Sequence, residues 1–185
     1  MQQLKTDLSK FDNAWYKPGN KIRWVLWILT SAIFFTNPVF VFMRPKAFLL
    51  RLFGARIGKG LVIKTKVTVK FPWLLAIGDH VWIGENAWID NLAKVDIGNN
   101  CCISQGAMLL CGNHNYKKQT FDLMAQPITL EEGVWIGAQS VDCPGVTCKS
   151  HAILSVNSVA NTDLEPYGIY QGNPAVKLRE RIIES

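Results

Sequence analysis

From Ile57 onward an aliphatic residue recurs every six positions, a period that neither a helix nor a simple alternating strand can carry. The inward set runs Ile57, Ile63, Val69, then Ile77, Ile83, Ile89, then Ile97, Ile103, Leu109, so each triplet restarts 20 residues after the last. Glycine follows at Ile57, Ile77, Ile83 and Ile97. Short strands that stack aliphatic side chains inward, with glycine or polar residues at the corners, satisfy this pattern. The expectation is an all-β solenoid, a parallel β-helix of hexapeptide repeats in which one coil is three strands plus a two-residue insertion. After an interruption the pattern resumes at Leu130, Ile136, Asp142, Cys148 and Leu154. Cysteine is a tolerable small filler. An aspartate among stacked aliphatics is costly unless a corner position or a partner relieves it.

Three segments follow: an N-terminal basic and hydrophobic helical extension (1–56), the β-helix (57–165), and a C-terminal turn and capping helix (166–185). The last segment contains Val176 to Ile183, read as a short basic amphipathic helix able to cover the open end of the coil.

Charge divides the chain unevenly. Residues 1–75 carry 13 Lys/Arg against 2 Asp/Glu, and residues 76–185 carry 7 against 12. The basic part also holds the most apolar run, Ile22 to Met43, flanked by Lys17, Lys21, Arg23, Arg44, Lys46 and Arg51. A spanning helix wants about 20 apolar residues, and Asn37-Pro38 ends the first helix near Thr36. Two placements stay open for the run: buried against the rest of the protein, or lying in the interface of an anionic membrane, with contact through residues 15–53. No secretory cleavage signature follows it. A second helical pattern covers Lys46 to Gly54, where glycine marks the stop. The five cysteines form no C-x-x-C pair, which fits buried thiols in a reducing compartment.

The interruption, residues 111–127, is where chemistry is expected, because polar loops set on a rigid scaffold carry function. It begins Cys111-Gly112-Asn113-His114-Asn115-Tyr116 and contains one of only three histidines. An imidazole is neutral yet basic near neutral pH, which suits proton abstraction from a hydroxyl. Cys111 is an alternative nucleophile or a buried filler. His80 and His151 fall at corners of the repeat and are read as structural.

The motifs Ile77-Gly78-Asp79-His80-Val81-Trp82-Ile83-Gly84-Glu85, Trp88-Ile89-Asp90-Asn91-Leu92-Ala93, Asn113-His114-Asn115-Tyr116, Gly133-Val134-Trp135-Ile136-Gly137-Ala138 and Gly172-Asn173-Pro174-Ala175 carry a resemblance over nearly the whole chain. Together with Asn13-Ala14-Trp15-Tyr16 and Arg51-Leu52-Phe53-Gly54-Ala55-Arg56, they resemble the hexapeptide-repeat acyltransferases, in the branch that acetylates exopolysaccharides of the colanic acid type. The resemblance implies a left-handed coil and a homotrimer with active sites between subunits. It further implies acetyl-CoA as co-substrate, a saccharide acceptor and direct O-acetyl transfer with His114 as general base; N-acetylation of an amino sugar and a non-catalytic assembly module are the alternatives. Glu85, Asp90, Asn91, Asn113 and Tyr116 become candidates for the acceptor. Trp135, Gly137, Ala138, Ser155 and Asn157 become candidates for the pantetheine arm, Lys177 and Arg179 for the phosphate end, and backbone N–H groups near Gly137 and Ala138 for the oxyanion. Relatives commonly place a basic residue directly after Gly-Asn-Pro-Ala, whereas here Val176 intervenes before Lys177. No metal is implied: zinc relatives on this fold use three histidines, and Gln119 stands where a second loop histidine would fall. Nor is a nucleic-acid partner implied. The cysteine usage points to the cytoplasm, and the charge asymmetry with Trp24 and Trp27 makes the N-terminal part the candidate for peripheral contact at the inner membrane face.

Overall fold

A computed structural model describes residues 4–185, in which three parallel sheets wall a triangular coil. The first wall is built from Arg56–Ile57, Leu75–Ile77, Val95–Ile97, Ile128–Leu130 and Thr147–Cys148. Val62–Ile63, Trp82–Ile83, Cys102–Ile103, Trp135–Ile136, Ile153–Leu154 and Gly168–Gly172 make the second. The third holds Thr68–Val69, Trp88–Asp90, Met108–Leu110, Val141–Asp142 and Val159–Ala160. Registers are in phase: Ile57 faces Ile77, Ile77 faces Ile97, and Leu130 faces Ile97 across the interrupting loop. Every sixth side chain therefore lands on its counterpart in the next coil, and the hexad aliphatics after the half-buried Ile57 are buried in columns.

The corners explain the rest of the repeat. Gly60, His80, Asn100, Gly133, His151 and Tyr167 hold positive φ at the corner between the first and second walls, and Lys66, Asn86, Gly106, Gln139 and Asn157 hold it at the next. Left-handed backbone disfavours most side chains. At Gly133 the demand is double, because a Cβ there would sit 2.6 Å from His151 Cδ2. His151 in turn stacks on Tyr167 with centroids 4.9 Å apart. His80 and His151 thus lie at the corners that the repeat assigns them.

Asp142 points into the coil, wholly buried, with Cys148 Sγ 3.5 Å from its carboxylate. Of the two alternatives, the partner is the one realised. Burial pushes its pKa up to about 7.

Helix α1 (Lys21–Phe34) starts where Asn20 Oδ1 accepts the Ile22 N–H at 2.7 Å, and it ends ahead of Asn37-Pro38. It buries Trp27 and Ser31, with Phe35 just beyond its end, and the Trp27 indole N–H donates to the Val69 carbonyl at 2.7 Å. Helix α2 (Met43–Leu52) starts earlier than its pattern suggests, because Pro45 is tolerated in a first turn whose N–H groups need no helical partner. Gly54, at φ +93°, stops it.

Two expectations are corrected. Lys46 is not a free flanking cation: it is buried, its ammonium donates to the Lys64 carbonyl at 2.8 Å, and burial holds its pKa below the usual lysine value. The C-terminal capping helix is absent. Ala175–Glu180 is a strand that folds back antiparallel on Gly168–Gly172, with Tyr170 facing Lys177. Val176 and Leu178 alternate with Lys177 and Arg179, which is strand periodicity, and the open edge of the second wall supplies hydrogen-bond partners that a helix would leave unmet.

Candidate active site

The corner between the third and first walls is longer than the other two in every early coil. It holds the Pro72–Leu74 turn in the first coil and Asn91 to Lys94 in the second, and in the third it swells into the 111–127 loop. The loop is a small structure of its own: Gly112–His114 pairs antiparallel with Leu123–Ala125, and Asp122 accepts from Lys118 Nζ at 2.7 Å and from the Thr120 hydroxyl. Gly112 packs against Leu92, whose Cδ1 methyl a Cβ there would have to displace.

His114 is half-buried on this hairpin. Its Nδ1 lies 2.9 Å from the Phe121 carbonyl oxygen, and its ring stacks on Phe121 with centroids 4.4 Å apart. A carbonyl can only accept, so Nδ1 carries the hydrogen and the neutral ring keeps its lone pair on Nε2. Phe11 approaches from the other chain end, 5.7 Å between ring centroids. Cys111 is fully buried and its thiol is pushed up to about 11 by burial, which leaves it a core residue rather than a nucleophile.

The acceptor candidates separate into groups. Asn113 and Tyr116 are exposed on the loop beside His114, and Asn113 Oδ1 accepts the His114 N–H at 2.7 Å. Asp90 lies below the loop root, nearly buried and paired with Lys70 Nζ at 2.8 Å, at one end of a cavity of about 430 Å³ under α1. Asn91 is fully buried, its amide bonded in both directions to the Phe71 backbone, so within one chain it is a corner clamp with no reachable atom. Glu85, beside Lys66 at 3.5 Å, sits at the corner between the second and third walls, a different edge of the prism from His114.

Along the second wall, Trp135, Gly137, Ala138 and Ser155 line one groove of about 310 Å³ together with Ser104 and Gln105. The Trp135 indole N–H donates to the Ser104 hydroxyl at 2.9 Å and fixes one side of it. Gly137 lets successive coils close up, since a Cβ would lie 2.7 Å from the Leu154 carbonyl oxygen. The Gly137 N–H donates to that carbonyl and is unavailable for an oxyanion, whereas the Ala138 N–H goes to no backbone carbonyl among the described residues. Asn157 stands at the adjoining corner, its N–H donating to the Ala138 carbonyl at 3.0 Å. Lys177 and Arg179 lie on the added strand of the same wall; Lys177 is paired with Glu180 at 2.7 Å, and Arg179 is exposed. Among the described residues, no three His, Cys, Asp or Glu side chains gather as a metal site.

Sequence reasoning missed the N-terminal segment. The Asp7 N–H donates to the Gln119 carbonyl at 2.9 Å and the Phe11 ring meets His114, so residues ahead of α1 brace the loop, while the Tyr16 hydroxyl donates to the Leu92 carbonyl of the coil beneath it at 2.5 Å. Only the aromatic content of Phe11 and Tyr16 hints at burial.

No family model matches the chain. The Escherichia coli (strain K12) protein WcaF, named for acetyl transfer in colanic acid biosynthesis, is 37% identical over 167 residues, 90% of this chain and 92% of that protein. A galactoside O-acetyltransferase of the same strain is 30% identical over 121 residues, 60% of each chain. Among solved structures, a hexapeptide-repeat acetyltransferase of Vibrio cholerae complexed with acetyl coenzyme A superposes with a TM-score of 0.70 at 26% identity, covering 76% of this chain and 78% of that one. The coil is accordingly the left-handed β-helix of these enzymes, and the chain belongs to the hexapeptide-repeat acetyltransferases, in the branch of the colanic acid biosynthesis acetyltransferase.

Proposed function

We propose that the protein transfers an acetyl group directly from acetyl-CoA to a hydroxyl of a saccharide in an exopolysaccharide precursor, with His114 as general base. The observation that carries this reading is the Nδ1–H of His114 anchored on the Phe121 carbonyl, which leaves Nε2 as the proton acceptor. Nε2 takes the hydroxyl proton as the oxygen attacks the thioester carbonyl. The tetrahedral oxyanion needs a donor, and of the Gly137 and Ala138 N–H groups that of Ala138 is the one not taken by a backbone carbonyl among the described residues. Collapse expels the CoA thiolate, which recovers a proton from the imidazolium. No covalent enzyme intermediate is required.

Acetyl-CoA fits the groove of Trp135, Gly137, Ala138 and Ser155, with Asn157 at its side and Lys177 and Arg179 toward the phosphates. Support comes from the acetyl-CoA held by the Vibrio cholerae neighbour and from the sugar acceptor in the name of the galactoside enzyme. Asn113, Tyr116, Asp90 and Glu85 serve the acceptor. Because Glu85 and His114 occupy different corners of one chain, they meet only across subunits, which is what a homotrimer with shared sites provides. The exposed Trp82, Trp88 and Trp135 supply apolar surface for that assembly. The enzyme works in the cytoplasm, with residues 15–53 against the membrane that carries a lipid-linked acceptor.

Thiol release from acetyl-CoA, measured with a panel of nucleotide sugars and membrane extracts, tests the reading. Loss of about 10²-fold or more in His114→Ala is expected for removal of a general base, and an unchanged rate would sink it. Hydroxylamine cleavage of the product separates an ester from an amide and so decides between O- and N-acetylation.

A further inference from the structure

Helix α1 is apolar on both sides. Trp27 and Ser31 pack inward, yet Ile22, Val25, Leu26, Leu29 and Ile33 stand exposed on the outside. The surface continues across both helices: Ile22 and Leu26 of α1 share a cleft with Leu52 of α2, and a chain of ring contacts runs from Phe34 through Phe40 to the exposed Phe42. A patch of this extent exceeds the scattered apolar exposure of an ordinary soluble surface.

Charge identifies what covers it. Between Asp12 and Asp79 there is no Asp or Glu, while 11 Lys/Arg occur. Some of these cations have internal partners: Lys46 donates to the Lys64 carbonyl, Arg51 to the Ile57 and Gly58 carbonyls, and Arg23 to the Phe53 carbonyl beneath the Trp73 ring. Lys21 and Arg44 remain exposed, and Arg44 and Lys59 line a second cleft, of about 510 Å³, between α2 and the first coil. Lys59 has only a long, exposed contact to Asp79 at 3.9 Å. A protein partner would have to match this surface with acids and apolar groups in register, whereas an anionic bilayer presents both chemistries everywhere.

The 14 residues of α1 extend about 21 Å, short of the roughly 30 Å of a hydrocarbon core, and no helix among the described residues is long and apolar enough to cross a membrane. The element must then lie along the surface. We propose that the α1–α2 face docks on an anionic bilayer, its outer apolar side chains entering the boundary between headgroups and acyl chains while Lys21, Arg44 and Lys59 meet lipid phosphates. This deepens the membrane clause of the proposed function and rests on that reading only for its purpose, delivery of the loop to a lipid-linked acceptor.

The test is co-sedimentation of the full chain with vesicles of phosphatidylcholine alone or containing one third phosphatidylglycerol, at low and high salt. Expected are binding to the anionic vesicles at least about tenfold tighter than to the neutral ones, weakening with salt, and a loss of tenfold or more in both Leu26→Glu/Leu29→Glu and Arg44→Glu/Lys59→Glu. Circular dichroism and thiol release with a soluble acceptor should be unchanged in both variants. Absence of binding to either vesicle, or equal binding to both, would overturn the proposal. So would a fall in solution mass in the Leu26→Glu/Leu29→Glu variant, which would make the face an interface between copies. Failure of the acetyl-transfer reading shows separately, as no thiol release by a wild type that still binds vesicles.

Discussion

The Phe121 carbonyl oxygen accepts from His114 Nδ1 at 2.9 Å while the Phe121 ring lies parallel to the imidazole, 8° between planes. One residue therefore sets both the tautomer and the tilt of the proposed base. Phe121→Ala keeps the carbonyl and removes the stack. Its kcat should fall about tenfold with the KM for acetyl-CoA unchanged, because only the orientation of Nε2 is loosened. A rise in KM with kcat intact would assign the ring to binding instead.

The Trp135 indole is tied across the groove to the Ser104 hydroxyl. Trp135→Ala should raise the KM for acetyl-CoA by about tenfold or more and leave kcat within a factor of about three, the pattern expected when ground-state and transition-state binding are lost equally. Steady-state kinetics at saturating acceptor reads it directly.

Gly106 and Gly133 share nearly the same backbone, φ +67° and +70°, but not the same neighbours. A Cβ at Gly106 would meet only the flexible Gln139 side chain at 3.4 Å, whereas at Gly133 it would run into the His151 ring. Gly106→Ala should cost about 1 kcal/mol from left-handed strain alone. Gly133→Ala should cost about 1–2 kcal/mol more, since the His151 ring is stacked on Tyr167 and has to leave that stack to make room. Urea unfolding of the two variants side by side gives the comparison.

Asp142, with its pKa raised to about 7 by burial, makes stability depend on pH in a direction opposite to that of a salt-bridged carboxylate. Between the unfolded value near 4 and the folded value, the native state holds a proton that the unfolded state has lost. Its stabilising contribution is full below about pH 4 and is lost as pH rises through 7. Unfolding free energy should fall from pH 5 to pH 7 with a slope approaching 1.4 kcal/mol per pH unit. Asp142→Asn should flatten that slope. A wild-type profile that rises over the same interval would refute the assignment.

How much the sequence discloses varies with how local the cause is. The β-helix was legible because each hexad position carries one demand, an aliphatic side chain in a column, and Ile57, Ile77 and Ile97 repeat it at a constant interval. The His114 loop was legible for the complementary reason: it breaks that interval. The C-terminal strand was misread because four alternating residues, Val176 to Arg179, are too few to exclude a helix, and only the exposed edge of Gly168–Gly172 decides between the two. Lys46 was misread because a lysine beside an apolar run gives no sign that the Lys64 carbonyl waits within reach.

By itself, then, the sequence determined the period, the coil, the place of the interruption and the identity of the loop histidine, all of which follow from side-chain type at a spacing. Tertiary structure alone decided which nitrogen of His114 is free, that Asn91 is consumed by Phe71, that Asp142 faces Cys148, that Asp7 and Phe11 brace the loop, and that Tyr16 ties to Leu92 beneath it. Each of these depends on a hydrogen bond or a ring contact between residues that chain order alone does not pair, and no local pattern encodes which partner closes in space.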